Sequence, residues 1–90
     1  MNNDHLISEV RELLSKCFNT THIEITDDSK SHVGHSGNSG GAHLNLKIVS
    51  ADFEGLTRIE RHKFIYKCLD GFIPAKIHAL KVLAFSPSEI

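Results

Sequence analysis

Histidine is the most informative residue type in this chain of 90 residues, which contains seven of them. Three lie in or beside one Gly/Ser-rich stretch, residues 29–43, at His32, His35 and His43. An imidazole titrates near neutral pH and binds borderline metals such as zinc and iron. A flexible loop that carries several imidazoles therefore indicates a functional segment, because loops on a rigid scaffold are where binding sites usually lie.

The length and charge of the chain limit the possible functions. Ninety residues fit one domain, residues 1–90, with a single modest core. The formal net charge of -1 disfavours a surface that binds polyanions as a whole, but it allows a local basic patch. No catalytic triad, acid pair or phosphate loop can be argued from the sequence, so we expect no enzyme. The absence of a leader-like or bilayer-length apolar run predicts a cytoplasmic protein without a membrane segment.

The two cysteines, Cys17 and Cys68, are not arranged as Cys-x-x-Cys. This spacing gives neither a thiol-only metal site nor a redox pair. Both fall on the apolar faces of predicted helices, where a cysteine usually acts as a small core hydrophobe. We therefore expect two free thiols and a reducing compartment.

The first half of the chain predicts one helix and two strands. Apolar residues recur at intervals of three and four between Leu6 and Phe18, which is typical of a helix that buries one stripe. Residues 22–27 alternate with period two, and residues 43–50 alternate more cleanly, with Leu44 and its alternate neighbours on one face. The two strands are expected to pair antiparallel across the histidine-bearing loop. His43 begins the second strand on its polar face, so we interpret it as a surface residue rather than a ligand.

The second half predicts a helix and a third strand. Thr57 and Glu60 form a capping-box pattern at the start of a helix over residues 57–72, which must end before Pro74. Its apolar positions are Ile59, Ile65, Tyr66, Cys68, Leu69 and Phe72. A final apolar run, residues 77–85, has the length of a strand.

The predicted order is αββαβ, an α+β sandwich of helices on one face of a three-stranded sheet. A helical crossover normally joins parallel strands, so the third strand is expected to run parallel to the second. The start of the third strand and the loop that enters the second then lie at the same end of the sheet. This topology places His78 opposite His32 and His35.

Five short segments in this order resemble the BolA family, and together they cover nearly the whole chain. They are DDSKSH at 27–32, IVS at 48–50, FEG at 53–55, RHK at 61–63 and IHAL at 77–80. The resemblance implies a KH-like αββαβ fold with a three-stranded mixed sheet. It also implies a partnership with monothiol glutaredoxins, in iron-sulfur cluster trafficking or in iron and redox regulation. The protein alone is then expected to be a monomer or a weak homodimer.

The same resemblance implies a set of metal ligands. In such complexes a 2Fe-2S cluster is shared, and glutaredoxin and a bound glutathione supply thiolates. The BolA-like partner supplies the histidine of the IHAL motif, which is His78 here, and a second ligand from the loop. That second ligand corresponds to His32, with His35 as the alternative. A chain with two imidazoles and no usable thiol needs another molecule to complete the coordination, and imidazole ligation raises the reduction potential of such a cluster.

Nucleic-acid binding is the competing function. The predicted second helix carries four cations, Arg58, Arg61, Lys63 and Lys67, and KH-like folds often bind single strands. Some bacterial members of the family are described as transcription regulators. Two Gly-x-x-Gly matches, 34–37 and 37–40, lie between strands and not between helices, where a KH phosphate clamp would be. A plain zinc site on the histidine loop is the third possibility.

Overall fold

Two α-helices and three strands form the part of the chain that the computed structural model describes, residues 3–28, 42–73 and 75–90. They are α1 (Asp4–Cys17), β1 (Thr20–Asp27), β2 (Ala42–Ser50), α2 (Arg58–Cys68) and β3 (Ile77–Phe85), with short 3-10 helices at Ala51–Phe53 and Pro87–Glu89. The predicted αββαβ order is confirmed.

The three strands form one mixed sheet in the order β1-β2-β3. β1 pairs antiparallel with β2, and Ile23 lies opposite Ile48. β2 pairs parallel with β3, and Leu46 lies opposite Val82. Both predicted pairings are therefore confirmed, and the starts of β2 and β3 lie at the same end of the sheet.

Both helices pack on one face of this sheet. Along β2, Leu44, Leu46 and Ile48 are buried, whereas residues 43, 45 and 47 on the opposite face are partly exposed. The buried core joins these side chains to α1 and α2 through the following residues: Val10, Leu14, Ile25, Phe53, Ile65, Leu69, Ile77 and Val82. Burial of apolar side chains between layers is the main force that holds the helices on the sheet. The other sheet face is left without a helical cover among the described residues.

The predicted capping box starts α2. Thr57 Oγ1 accepts a hydrogen bond from the Glu60 amide at 3.1 Å, and Glu60 Oε1 accepts one from the Thr57 amide at 2.9 Å. These bonds hold the pKa of the Glu60 carboxyl below its usual value, with the bond from the Thr57 backbone as the largest cause. Gly55, at φ +77, makes the turn before the helix in a conformation that favours glycine.

The orientation of α2 differs from the prediction. Arg61 and Ile65 face the core, whereas Ile59 is 69% exposed and Tyr66 is 41% exposed. Arg61 occupies the core-facing position one turn before Ile65 because its guanidinium has partners there. The helix also ends at Cys68 and not at residue 72, and residues 69–73, 75 and 76 form turns before β3.

Arg61 ties α2 to the end of the chain. Its guanidinium donates to the carbonyl oxygens of Leu56 and Ala84, each at 3.0 Å, and to Glu89 Oε1 at 2.6 Å. The bond from Arg61, followed by one from the Ser86 amide, lowers the pKa of Glu89 to about 2. A buried charge is tolerated at this position because backbone and carboxylate acceptors surround it.

A disulfide joins Cys17 to Cys68, with their Cα atoms 6.4 Å apart. The prediction of two free thiols was therefore wrong. Each cysteine is the last residue of its helix, and Cys17 is exposed, so the pair lies where the ends of α1 and α2 meet rather than within the core. The expectation of a reducing compartment loses its support with this bond, and the cytoplasmic location stays a prediction.

We expect the disulfide to contribute about 2–4 kcal/mol to the free energy of unfolding, because it closes a loop in the unfolded chain between residues 51 positions apart in the sequence. The measurement is urea denaturation of the wild type and of a Cys17→Ser/Cys68→Ser variant, each with and without dithiothreitol. The reductant should destabilise only the wild type, to the level of the variant. Equal stability of the oxidised wild type and the variant would contradict this assignment.

We expect Arg61→Lys to lower the free energy of unfolding, measured by urea denaturation at pH 7, by about 1–3 kcal/mol. An ammonium cannot reproduce the three hydrogen bonds of the planar guanidinium.

The pKa of Glu89 is depressed in the folded state, so the contribution of its carboxylate to stability is present at neutral pH. It is lost as the pH falls from 4.5 through about 2.

Urea denaturation from pH 7 to pH 2 measures this loss. The stability difference between the wild type and Glu89→Gln should shrink as the pH falls. Glu12→Gln, a change in an exposed ion pair with Lys16, is the matched control. A difference between wild type and Glu89→Gln that stays constant over the whole range would overturn the assignment.

Candidate metal centre

His43 and His78 lie side by side at one end of the sheet. Their ring centroids are 5.2 Å apart and their planes are inclined by 48°. His43 is near the start of β2, and His78 is near the start of β3. The parallel pairing of these two strands brings together imidazoles that are 35 positions apart in the sequence.

A break in the register of β3 orients His78. Ala42 pairs with Ile77, but His43 pairs with Ala79, so His78 is an extra residue in β3. An extra residue of this kind is a β-bulge, which re-aims side chains locally. Ile77 and Leu80 both pack on the core, and the bulge leaves His78 and Ala79 exposed between them. His78 can therefore contact the ring of His43 away from the sheet face that the helices cover.

The end of β1 completes this edge of the sheet. The Asp28 amide donates to the His43 carbonyl oxygen at 2.7 Å, and both residues line a shallow depression of about 420 Å³. His43 is partly buried, whereas His78 is exposed to solvent. His32 and His35, the predicted loop ligands, lie outside the described residues.

The spacing of the two rings fits metal ligation. Two imidazoles bound to one tetrahedral ion at about 2.1 Å have ring centres roughly 5 Å apart. The observed separation of 5.2 Å agrees with that value. Within residues 3–28, 42–73 and 75–90, no set of three or more His, Cys, Asp or Glu side chains is placed to hold a metal. The pair would therefore provide two positions of a coordination sphere.

Thiolates for such a centre would have to come from another molecule. Cys17 and Cys68 are the two cysteines of the chain, and their sulfur atoms are bonded to each other. They join the ends of the two helices, which cover the opposite face of the sheet from His43. In this oxidised state neither sulfur atom is a thiolate ligand.

The sequence interpretation did not foresee that His43 lies beside His78. The alternation of β2 correctly places it on the face opposite the buried Leu44, and its interpretation as a surface residue rather than a ligand stays a prediction. The signal lay in β3, where Ile77 and Leu80 are both apolar at a spacing of three. That spacing breaks the period of two, indicates a bulge, and moves His78 to the face of His43.

The four cations predicted for nucleic-acid binding do not form one surface. Arg58, Lys63 and Lys67 are exposed on α2, but Arg61 is only 5% exposed. Its guanidinium is engaged by Leu56, Ala84 and Glu89. The basic surface is therefore smaller than the sequence predicted, since one of its four charges is part of the core.

A comparison with known protein families identifies the family to which this chain belongs. The model of the family described as BolA-like protein matches residues 14–89 of this chain. The chain belongs to the BolA-like family. The match includes His43, His78 and both cysteines, and it confirms the family resemblance inferred from the five short segments.

Curated relatives of this BolA-like chain include two plant proteins. It is 36% identical over 87 residues to SufE-like protein 1, chloroplastic/mitochondrial, of Arabidopsis thaliana, covering 90% of this chain and 24% of the relative. It is 37% identical over 86 residues to Protein BOLA1, chloroplastic, of the same plant, covering 91% of this chain and 54% of the relative. The chain thus spans about a quarter of the first relative and about half of the second.

A solved structure and a bacterial relative complete the comparison. The BolA domain of SufE1 from Arabidopsis thaliana superposes with a TM-score of 0.81 at 36% identity, covering 92% of this chain and 93% of that domain. This likeness confirms the predicted α+β fold. The DNA-binding transcriptional regulator BolA of Haemophilus influenzae is 37% identical over 62 residues, covering 69% of this chain and 60% of that protein.

No helix in the described residues is long and apolar enough to cross a bilayer.

Proposed function

We propose that this BolA-like chain is the histidine-bearing half of a shared 2Fe-2S site, completed by a monothiol glutaredoxin and glutathione. In this role His78 and one further histidine ligate iron, and the partner and glutathione supply the thiolates. The complex would serve iron-sulfur cluster trafficking or iron and redox regulation, and imidazole ligation would raise the reduction potential of the cluster. The chain itself acts by binding and orienting ligands rather than by catalysis.

The pairing of His43 with His78 is the observation that carries this proposal. Two imidazoles whose ring centroids are 5.2 Å apart lie at an edge of the sheet where His78 is exposed to another molecule. Both cysteines are held in a disulfide on the helical side. These features favour a site that binds metal weakly alone and more tightly with external thiolates.

The identity of the second histidine ligand is part of the proposal. The family resemblance implies His32, with His35 as the alternative. The geometry of the described residues adds His43, because its ring lies 5.2 Å from that of His78. The three candidates differ in one testable respect, since His43 is held by β2 whereas His32 and His35 belong to the Gly/Ser-rich stretch of the sequence.

We expect the visible spectrum of a cluster-loaded monothiol glutaredoxin with glutathione to change on addition of this protein. His78→Ala should abolish the change, because it removes the ligand common to all three candidate pairs. His5→Ala, an exposed histidine on α1, is the matched control and should leave the change intact. No spectral change with the wild-type protein would refute the proposal, and so would an undiminished change with His78→Ala.

Single variants His32→Ala, His35→Ala and His43→Ala then identify the second ligand. The variant that lacks this ligand should give a spectrum like that of His78→Ala, whereas the other two should resemble the wild type. Analysis of the complex for iron, sulfide and zinc separates a cluster from a plain zinc site, because only the cluster contains sulfide. Zinc without sulfide would exclude the shared cluster.

A nucleic-acid role is the second candidate, favoured by the name of the Haemophilus influenzae relative and by the exposed cations Arg58, Lys63 and Lys67. Under this alternative, the affinity for a DNA duplex should fall steeply with log salt, with a slope of about −0.9 for each phosphate contact. Lys63→Glu should weaken binding and flatten that slope, and Glu12→Gln on α1 should not. Binding without a salt dependence would exclude this role.

A further inference from the structure

A groove between α2 and β3 is a second surface that the histidine edge does not use. Its volume is about 490 Å³. One wall is formed by Arg58, Ile59, His62 and Lys63 of α2, and the other by residues 82–85 of β3. It therefore lies towards the end of β3 that is opposite to His78.

Exposed aliphatic side chains give this groove a driving force for binding. Ile59 is 69% exposed and Leu83 is 52% exposed, and they stand on opposite walls. The helical pattern predicted that Ile59 would be buried. It is exposed because α2 presents Arg61 to the core instead. Apolar surface that faces water across a groove is stabilised when another apolar group displaces the water.

The charges around the groove select the partner. Arg58 and Lys63 are in the walls, and none of the lining residues is acidic. The nearest acid in the sequence, Glu60, uses its carboxylate to cap Thr57 at the start of the helix. Glu89, at the end of the chain, is paired with Arg61. The groove therefore favours an acidic ligand, because like charges at this site would repel a basic one.

The outer edge of β3 limits how such a ligand can bind. Tyr66 Oη donates to the Leu80 carbonyl oxygen at 3.1 Å, and Arg61 donates to that of Ala84 at 3.0 Å. These side chains of α2 occupy two carbonyl groups of the strand, which hinders the pairing of a long additional strand. Recognition must then depend on side chains that enter the groove. The lining also contains the rings of His62 and Phe85, but its exposed large apolar side chains, Ile59 and Leu83, are aliphatic. Aliphatic side chains suit an apolar side chain of a peptide better than a nucleic-acid base, which stacks on aromatic faces.

We propose that the groove between α2 and β3 binds a short acidic segment of a partner protein. An apolar side chain of that segment lies between Ile59 and Leu83, and its carboxylates pair with Arg58 and Lys63. This inference goes beyond the proposed cluster function and does not depend on metal, on glutaredoxin or on either histidine of the edge.

The test uses the whole chain and a phage-displayed library of random twelve-residue peptides. Phage are selected for binding to the wild type, and those that also bind an Ile59→Ser/Leu83→Ser variant are removed. The enriched peptides are then synthesised with a fluorescent label. We expect sequences that combine acidic residues with an apolar one. Fluorescence polarisation should show that Ile59→Ser and Leu83→Ser each weaken binding about tenfold, as the loss of a buried aliphatic side chain implies.

Two matched variants on α2 control for charge and hydrophobicity away from the groove. Lys63→Glu should weaken peptide binding about tenfold, whereas Lys67→Glu and Phe64→Ser should change it by less than about twofold. The proposal is overturned if no acidic sequence is enriched, or if the groove variants bind the peptides as well as the wild type does. It is also overturned if a twelve-nucleotide oligothymidylate displaces the peptides and Lys67→Glu weakens binding as much as Lys63→Glu.

Discussion

The parallel pairing of β2 with β3 is the constraint on which both proposed surfaces depend. It places the starts of the two strands at one end of the sheet, and this is why His43 and His78 meet. An antiparallel β3 of the same nine residues would carry His78 to the other end, roughly 25–30 Å away. The crossover through α2 makes the parallel arrangement the favoured one. The same crossover lays α2 along the outer edge of β3.

Much of this arrangement follows from local sequence patterns. The alternation of residues 43–50 identified a strand with one buried face, and the capping pattern of Thr57 and Glu60 located the start of α2. Together with the crossover rule, these signals gave the strand pairing and the end of the sheet where His78 lies. They succeeded because each one is a short-range preference that agrees with the final packing.

Three features were missed because they depend on partners that are distant in the sequence. The rotation of α2 follows from Arg61, whose acceptors lie on Ala84 and Glu89 as well as on Leu56. The disulfide requires the ends of both helices to converge, which the spacing of two cysteines cannot reveal. The spacing of Ile77 and Leu80 is a local sign of the β-bulge, but the position of His43 beside His78 also needs the register of β3 against β2. In each case tertiary contacts decided what the residue type alone left open.

The length of β3 has a consequence for how partners assemble on this chain. His78 and Ala84 are separated by roughly 20 Å along an extended strand, so one molecule seated at the histidines leaves the groove accessible. Two separate partners would bind side by side and form a three-component complex. A single partner could instead carry both recognition elements, joined by a linker long enough to span the distance between the histidines and the groove. Binding of one element would then raise the local concentration of the other at its site, so that two weak contacts together give a higher avidity.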